Sequence, residues 1–210
     1  MFMGQLFTSY SKTKNLKHKL LLPLKHSLLA VMLLCSAYAT QAQNLAVSVN
    51  NVYKAGFASL EAAITAHGVA LGNIEVIRIQ AGTFNTADWN WLKSKRAELS
   101  KLAYFEITSN VTNVADMPNT SNTEPYFGAA LKEVSIAKLK TVGNAAFYKL
   151  DGLTHIDLPN ATSLGSFAFT NCKGITYLEL PAVETIGASA FKGCSNLSSV
   201  SLPTVTNIRG

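Results

Sequence analysis

Three side chains suited to acid–base or metal chemistry, His155, Asp157 and Glu179, lie in the C-terminal half of the chain. Imidazole and carboxylate groups transfer protons and bind metal ions, and residues two apart on a strand share a face. The three residues lack a recognised metal-ligand spacing, however, and nothing in the sequence implies a cleft around them. The chain also lacks a nucleophile elbow, an HExxH motif, a Walker loop and a dinucleotide-binding glycine motif. The sequence therefore predicts a protein without enzymatic activity, cofactor or bound metal.

Two cysteines outside the N-terminal segment, Cys172 and Cys194, are 22 residues apart. In a repeating fold that spacing brings them about 5 Å apart, which allows a disulfide in an oxidising compartment. Leu150 occupies the same position one period earlier. This favours the other interpretation, that both thiols pack in the core.

Polar and aromatic residues alternate with apolar residues in several short segments, which turns them to the outer face of a strand. We expect eight of them to form a partner-binding face: Arg78, Tyr104, Glu106, Glu133, His155, Asp157, Tyr177 and Glu179. Rigid rows of side chains reduce the ordering that binding an extended partner requires. Two alternatives remain open: a carbohydrate-binding surface built on Trp91, Tyr104 and Tyr177, and strand residues that are merely solvated.

The elements that position these residues come from a 22-residue repeat. Its copies begin at Leu131, Leu153, Ile175 and Leu197. Each copy holds an apolar pair at period-two spacing, which predicts a short strand with both side chains inward: Val134 and Ile136, Ile156 and Leu158, Leu178 and Leu180, Val200 and Leu202. A third apolar column is Val142, Leu164, Ile186 and Ile208.

Further columns of the repeat predict how its copies stack. Gly143, Gly165 and Gly187 are small enough to let neighbouring backbones approach, and Phe147, Phe169 and Phe191 should fill the interior in a single row. Gly152, Gly174 and Asn196 are residue types that tolerate a left-handed backbone, so their column predicts a tight bend. Because one copy cannot bury its own apolar face, we expect an α/β solenoid of short parallel strands.

The segments LTHIDLPNATSLGSFAFTNCKG and ITYLELPAVETIGASAFKGCSN resemble the BspA-like leucine-rich repeat family. The resemblance covers residues 131–210, and the upstream segments are similar to the irregular N-terminal portion common in that family. It implies a secreted or cell-surface protein that is not an enzyme and that binds a host or envelope protein, as an adhesin does. A location in the periplasm stays open.

The N-terminal segment, residues 1–42, has the pattern of a secretory signal peptide. Lysines without acidic residues precede the apolar stretch 27–39, and small residues for cleavage follow. That stretch is short for a membrane span, so we expect contact with the membrane only during export. After removal of the signal peptide, the chain contains 13 Lys and Arg and 12 Asp and Glu, so its net charge is close to zero. This balance argues against a nucleic-acid partner.

Residues 43–130 should form an irregular, helical N-terminal capping region for the repeats. We expect a strand at 45–49, a helix from Ser59 to His67 that stops at Gly68, and a second helix capped by Thr86 with Trp89 and Leu92 on its apolar face. Ile77 with Ile79, and Phe105 with Ile107, match the inward pairs at longer spacings. Residues 110–125, rich in Asn, Thr and Pro, predict an exposed loop.

The last copy of the repeat is incomplete. Arg209 replaces the repeating glycine, and the strand at Val200–Leu202 should present an apolar, unpaired edge. Two interpretations are open: a truncated gene product, or a protomer that associates end to end with another.

Overall fold

The computed structural model describes residues 45–119 and 124–209, which lie in the compact unit Gln41–Gly210. The predicted signal peptide lies outside the described residues. The strands are, in chain order, β1 (Leu45–Val49), β2 (Val52–Phe57), β3 (Val76–Ala81), β4 (Thr83–Phe84), β5 (Tyr104–Ile107), β6 (Asn113–Val114), β7 (Glu133–Ile136), β8 (Thr141–Val142), β9 (His155–Asp157), β10 (Ser163–Leu164), β11 (Tyr177–Glu179), β12 (Thr185–Ile186), β13 (Ser199–Ser201) and β14 (Asn207–Ile208). The described residues also form two α-helices, α1 (Leu60–His67) and α2 (Thr86–Lys95), and both precede β5.

The main sheet has the strand order β2-β1-β3-β5-β7-β9. Its first three strands are antiparallel and the following pairs are parallel. A second sheet has the order β14-β12-β10-β8 and is parallel throughout. The ladder of the main sheet ends at β9, and β11 pairs with β13 in a separate parallel ladder.

The register of the parallel pairs follows the sequence period. Glu133 pairs with His155, and Tyr177 pairs with Ser199, in each case across 22 residues. Upstream, Ile77 pairs with Phe105, and Phe105 with Val134, which confirms the alignment proposed for the irregular copies. The extra residues between β3 and β5 hold β4 and α2.

A row of stacked phenylalanine rings runs through the core. Phe127, Phe147, Phe169 and Phe191 have successive ring centroids 5.6, 5.0 and 5.8 Å apart, with interplanar angles of 6°, 2° and 3°. Phe147 and Phe169 are fully buried. The predicted interior row is therefore confirmed, and Phe127 extends it by one ring towards the N-terminus.

The glycines at the second sheet make the predicted close approach. A Cβ on Gly165 would lie 2.5 Å from the backbone nitrogen of Asn144, a contact that requires the backbone to move. The column of Gly152, Gly174 and Asn196 lies in turns, as predicted, but the left-handed backbone expected there is wrong, because none of these residues has a positive φ. The positive φ angles occur instead in two neighbouring columns: Ala145, Phe167 and Ser189, and Lys149, Asn171 and Gly193. Glycine is required at position 174 because a Cβ there would meet the carbonyl oxygen of Leu153 at 2.5 Å.

The N-terminal region contains both predicted helices. The Ser59 side chain accepts a hydrogen bond from the Ala62 N–H, and α1 ends at Gly68 with φ 67°. The cap of α2 is Asn85 rather than Thr86. Asn85 accepts from the backbone N–H groups of Ala87 and Asp88, while the Asp88 carboxylate accepts from the Asn85 N–H, which completes a capping box.

The first edge of the main sheet is a β-hairpin that only partly matches the prediction. Strand β1 is present as expected and is fully buried. It continues through Asn50 and Asn51, both with positive φ, into β2, which pairs antiparallel with it and is largely exposed. Asparagine suits such a two-residue turn because it tolerates the left-handed backbone.

The predicted exposed loop at 110–125 is partly buried. Val111, Val114 and Met117 are in the core, and β6 pairs parallel with β4. These apolar side chains, spaced three residues apart, bury this segment in spite of its polar composition, because all three join the hydrophobic core. Residues 120–123 lie outside the described part of the chain.

The apolar residues of the last described copy are exposed to solvent. Val200 is 39% exposed and Ile208 is 69% exposed, whereas Leu178 and Ile186, one period earlier, are buried. The pair at Val200 and Leu202 is therefore not enclosed as the earlier pairs are. Across residues 45–119 and 124–209, no helix has the length and apolar character needed to cross a bilayer.

Candidate functional site

Alternation along the strands turns the eight predicted residues to the outer surface, here called the outward face: Arg78, Tyr104, Glu106, Glu133, His155, Asp157, Tyr177 and Glu179. On β9 and β11 the central residue is buried and both neighbours are exposed. On β3 and β5 the outward residues are half-buried, while the residues between them are buried. The orientation predicted for all eight is present.

Arg78, Tyr104 and Glu106 form one tight cluster at the N-terminal end of the outward face. Arg78 Nε donates to Glu106 Oε2 at 3.0 Å, and the Tyr104 hydroxyl donates to the same oxygen at 2.9 Å. The guanidinium carbon lies 4.7 Å from the centre of the Tyr104 ring, within the range of a cation–π contact. Desolvation, followed by the bond to Glu106, raises the pKa of Tyr104. These three polar groups are bonded to one another, and the Arg78 guanidinium also donates to the side-chain oxygen of Asn51.

The middle of the outward face holds Glu133, His155 and Asp157, all exposed. The Ser135 hydroxyl donates to Asp157 Oδ2 at 2.9 Å, between neighbouring strands of the sheet. Within the described residues no group of three or more His, Cys, Asp or Glu is arranged to hold a metal ion.

Tyr177 and Glu179 repeat the geometry of Tyr104 and Glu106 on another strand. The Tyr177 hydroxyl donates to Glu179 Oε2 at 3.0 Å, and this hydrogen bond is the main cause that raises the pKa of Tyr177. Tyr177 is 53% exposed. Sequence reasoning missed this pairing, although the Tyr-x-Glu spacing on two strands was the available signal.

The charge of the outward face changes along its length. Arg78 compensates Glu106 at one end, whereas the resolved hydrogen-bond partners of Asp157 and Glu179 are the neutral hydroxyls of Ser135 and Tyr177. The side with Glu133, Asp157 and Glu179 therefore carries net negative charge at neutral pH.

Cys172 and Cys194, the two cysteines among the described residues, are free thiols. The thiol of Cys172 is buried and donates to the carbonyl oxygen of Phe147 at 2.8 Å, and that of Cys194 donates to the carbonyl oxygen of Phe169 at 3.0 Å. Burial raises the pKa of Cys172 to about 12. The geometry matches the packing interpretation rather than the disulfide.

The three aromatic residues proposed for a carbohydrate surface do not lie together. Tyr104 and Tyr177 belong to the outward face. Trp91 lies on α2, whose Trp89 packs against the inward ring of Phe105 on the opposite side of the sheet. A single carbohydrate surface across Trp91, Tyr104 and Tyr177 is therefore wrong, because the sheet separates the indole from both phenols.

Residues 119–210 match the family model of the BspA type leucine rich repeat region, in six copies. No curated protein matches the chain. A solved structure that matches is a leucine-rich repeat protein from Bacteroides ovatus ATCC 8483, with 21% identity and a TM-score of 0.38. The match covers 52% of this chain and 37% of the length of that protein. Residues 119–210 therefore belong to the BspA-type leucine-rich repeat family that the sequence resembles.

Proposed function

We propose that this protein is a non-catalytic protein-interaction module, secreted or displayed at the cell surface, with an adhesin-like role. Leucine-rich repeats of this type suggest such a module. The observation that carries the proposal is the outward face, on which exposed polar and aromatic side chains sit on a sheet with a fully buried inner side. Because the strands hold these side chains in place, a partner meets a surface that is already ordered.

The proposed architecture is a solenoid of 22-residue coils, with the helical N-terminal region as its cap. The in-register parallel pairing and the stacked phenylalanine row support this arrangement. Strands β1 and β2 lie on the N-terminal side of the first parallel strand pair, and α1 packs against them, where an uncapped core would otherwise meet water.

The chemistry of the outward face favours an extended partner segment that bears Lys or Arg. Glu133, Asp157 and Glu179 provide negative charge on three strands, and the half-exposed Tyr177 provides an aromatic anchor beside them. Charge complementarity of this kind steers association, and aromatic anchors contribute disproportionately to affinity.

A pull-down from host or envelope extracts, followed by titration with the recovered partner, tests the proposal. Asp157→Lys combined with Glu179→Lys should weaken binding at least tenfold, and Tyr177→Ala should also weaken it. Glu184→Lys is the matched control, because Glu184 is exposed but lies beside β12, away from the outward face. Binding that is insensitive to the outward-face variants, or equally sensitive to Glu184→Lys, rejects this surface.

Export and self-association are separate parts of the proposal. Cleavage after Ala42 predicts that the exported protein begins at Gln43, which N-terminal sequencing of the secreted or periplasmic fraction tests. The exposed Val200 and Ile208 support association of two copies through their apolar edges. Light scattering of the wild type and of Val200→Glu tests this, and an unchanged monomeric mass in both removes the basis for it.

A further inference from the structure

The outward face carries the same Tyr-x-Glu pair at two places. In the first pair, on β5, the Tyr104 hydroxyl donates to Glu106 Oε2 at 2.9 Å. In the second pair, on β11, the Tyr177 hydroxyl donates to Glu179 Oε2 at 3.0 Å. Residues two apart on a strand share a face, so each carboxylate is held beside a phenol ring.

Arg78 shows how a guanidinium fits the first pair. Its Nε donates to Glu106 Oε2 at 3.0 Å, and its Cζ lies 4.7 Å from the centre of the Tyr104 ring. The guanidinium thus lies over the ring and at the same time donates to the carboxylate beside it. A planar group with several N–H donors suits both contacts, whereas the ammonium of lysine is a compact, strongly hydrated point charge. The first pair is therefore an arginine site that the chain fills by itself.

The second pair has no such cation from the described residues. In the described part of the chain, no lysine or arginine forms an ion pair with Glu179 or lies over the Tyr177 ring. On the next strand, Glu179 pairs in register with Ser201. Tyr177 is 53% exposed, so its ring offers surface for a contact.

Asp157 makes the second pair more attractive to a cation than the first. It precedes Glu179 by one strand in the same outward column, as Arg78 precedes Glu106. Strand β9, which carries Asp157, contacts β11, so two carboxylates project from the same side of adjacent strands. Like charges on neighbouring strands repel each other, and a guanidinium with five N–H donors relieves that repulsion.

We propose that Tyr177, Glu179 and Asp157 form a binding site for an arginine side chain of the partner protein, with its guanidinium over the Tyr177 ring and its N–H groups on the two carboxylates. This inference rests on the proposed function and narrows the basic residue of the partner from Lys or Arg to Arg. An exposed cation–π contact changes affinity about two- to fivefold, so the site selects between partners and does not hold one by itself.

Titration of the purified protein with short peptides at low ionic strength, followed by NMR, tests this site. The probes are triarginine, trilysine and tricitrulline, each blocked at both ends, and citrulline keeps nearly the shape of arginine without its charge. Triarginine should shift the ring resonances of Tyr177 and bind at least about twofold more tightly than trilysine, and tricitrulline should not shift them. A smaller preference for triarginine, an equal shift with tricitrulline, or a Tyr177 ring that does not respond to triarginine overturns the proposal.

Removal of Arg78 provides a matched comparison within the same chain. In the wild type, triarginine should leave the Tyr104 ring resonances unchanged, because Arg78 already lies over that ring. In Arg78→Ala the first pair is open, and triarginine should then shift the Tyr104 resonances as well as those of Tyr177. A folded Arg78→Ala protein whose Tyr104 ring does not respond contradicts the idea that a Tyr-x-Glu pair takes a guanidinium.

Variants of the second pair serve if Arg78→Ala disturbs the fold. Both side chains are exposed, and Tyr177→Ala and Glu179→Gln should each weaken triarginine binding about two- to fivefold. Glu184→Gln is the control, because Glu184 is exposed beside β12, and it should leave the affinity unchanged. An affinity that is unchanged in both Tyr177→Ala and Glu179→Gln refutes the assignment.

The arginine site and the outward face can fail separately. A recovered partner that depends on Asp157 and Glu179, but binds equally well after its arginines are replaced by lysine, keeps the outward face and rejects the arginine site. A partner that is insensitive to charge reversal at both residues rejects the outward face as its binding surface. The triarginine titration needs no partner, so its result stands in either case.

Discussion

Substitutions in the phenylalanine row test the nearest-neighbour stacking on which the fold depends. Phe169 is fully buried and stacks on Phe147 at 5.0 Å and on Phe191 at 5.8 Å. Phe169→Ala should lower the free energy of unfolding by about 3–5 kcal/mol, because the burial of the ring is lost and a cavity remains. The free energy of unfolding of an ordinary domain is about 5–15 kcal/mol in total, so alanine removes a large part of it. Leucine is therefore the better substitution for quantitative work.

Double-mutant cycles with leucine separate stacking from burial. Phe147→Leu and Phe169→Leu should show a coupling energy of about 0.5–1.5 kcal/mol, because these rings touch. Phe147→Leu and Phe191→Leu are matched in chemistry but have Phe169 between them. We expect their effects to add to within about 0.5 kcal/mol.

Urea unfolding provides the measurement, with circular dichroism for the repeats and Trp fluorescence for the N-terminal region. The two signals should give coincident transitions and a constant m-value, which the free-energy comparison requires. Additive behaviour of the touching pair, or equal coupling in the separated pair, would refute the claim that stability passes from each copy to the next.

Three further results are expected. Gly165→Ala should destabilise the protein by more than about 1 kcal/mol in urea unfolding, because its Cβ would lie 2.5 Å from the Asn144 backbone nitrogen. As the control, the Cβ in Gly68→Ala meets no atom within 4 Å, so this variant should lose only about 1 kcal/mol of stability through the strain of its positive φ. Burial lowers the pKa of His67 below 6.5, so the unfolded chain takes up the proton before the folded protein does as the pH falls. The free energy of unfolding should therefore fall as the pH drops through about 6.5, and His67→Gln should make this pH dependence weaker. Since burial raises the pKa of Cys172 to about 12, iodoacetamide at pH 8 should label it only after unfolding, and labelling of the native protein at the rate of a free thiol contradicts the burial.

The repeat region was largely predictable because its contacts are periodic. Once the 22-residue period aligns Phe147, Phe169 and Phe191, the same alignment gives the inward and outward residues of β9 and β11. Helix α1 was predictable for a different reason, since Ser59 and Gly68 act on the backbone within a few residues of themselves.

The prediction failed where a residue type allows several backbone states. Gly152 and Gly174 can adopt a positive φ, but the structure uses them to avoid carbonyl oxygens of the previous copy, and Ala145 and Lys149 have positive φ instead. Thr86 and Asn85 are both acceptable caps, and the capping box with Asp88 selects Asn85. Composition alone could not decide between these alternatives.

The sequence by itself determined the period, the family of residues 119–210 and the side of each strand that faces water, because a periodic pattern repeats one set of local contacts. Only the tertiary structure decided which outward charges are compensated and where the indole of Trp91 lies. Arg78 bonds to Glu106, which is 28 residues away in the chain, and Trp91 of α2 lines the same depression as residues of α1. Such contacts depend on how distant segments pack and on side-chain rotamers, and neither of these produces a periodic pattern in the sequence.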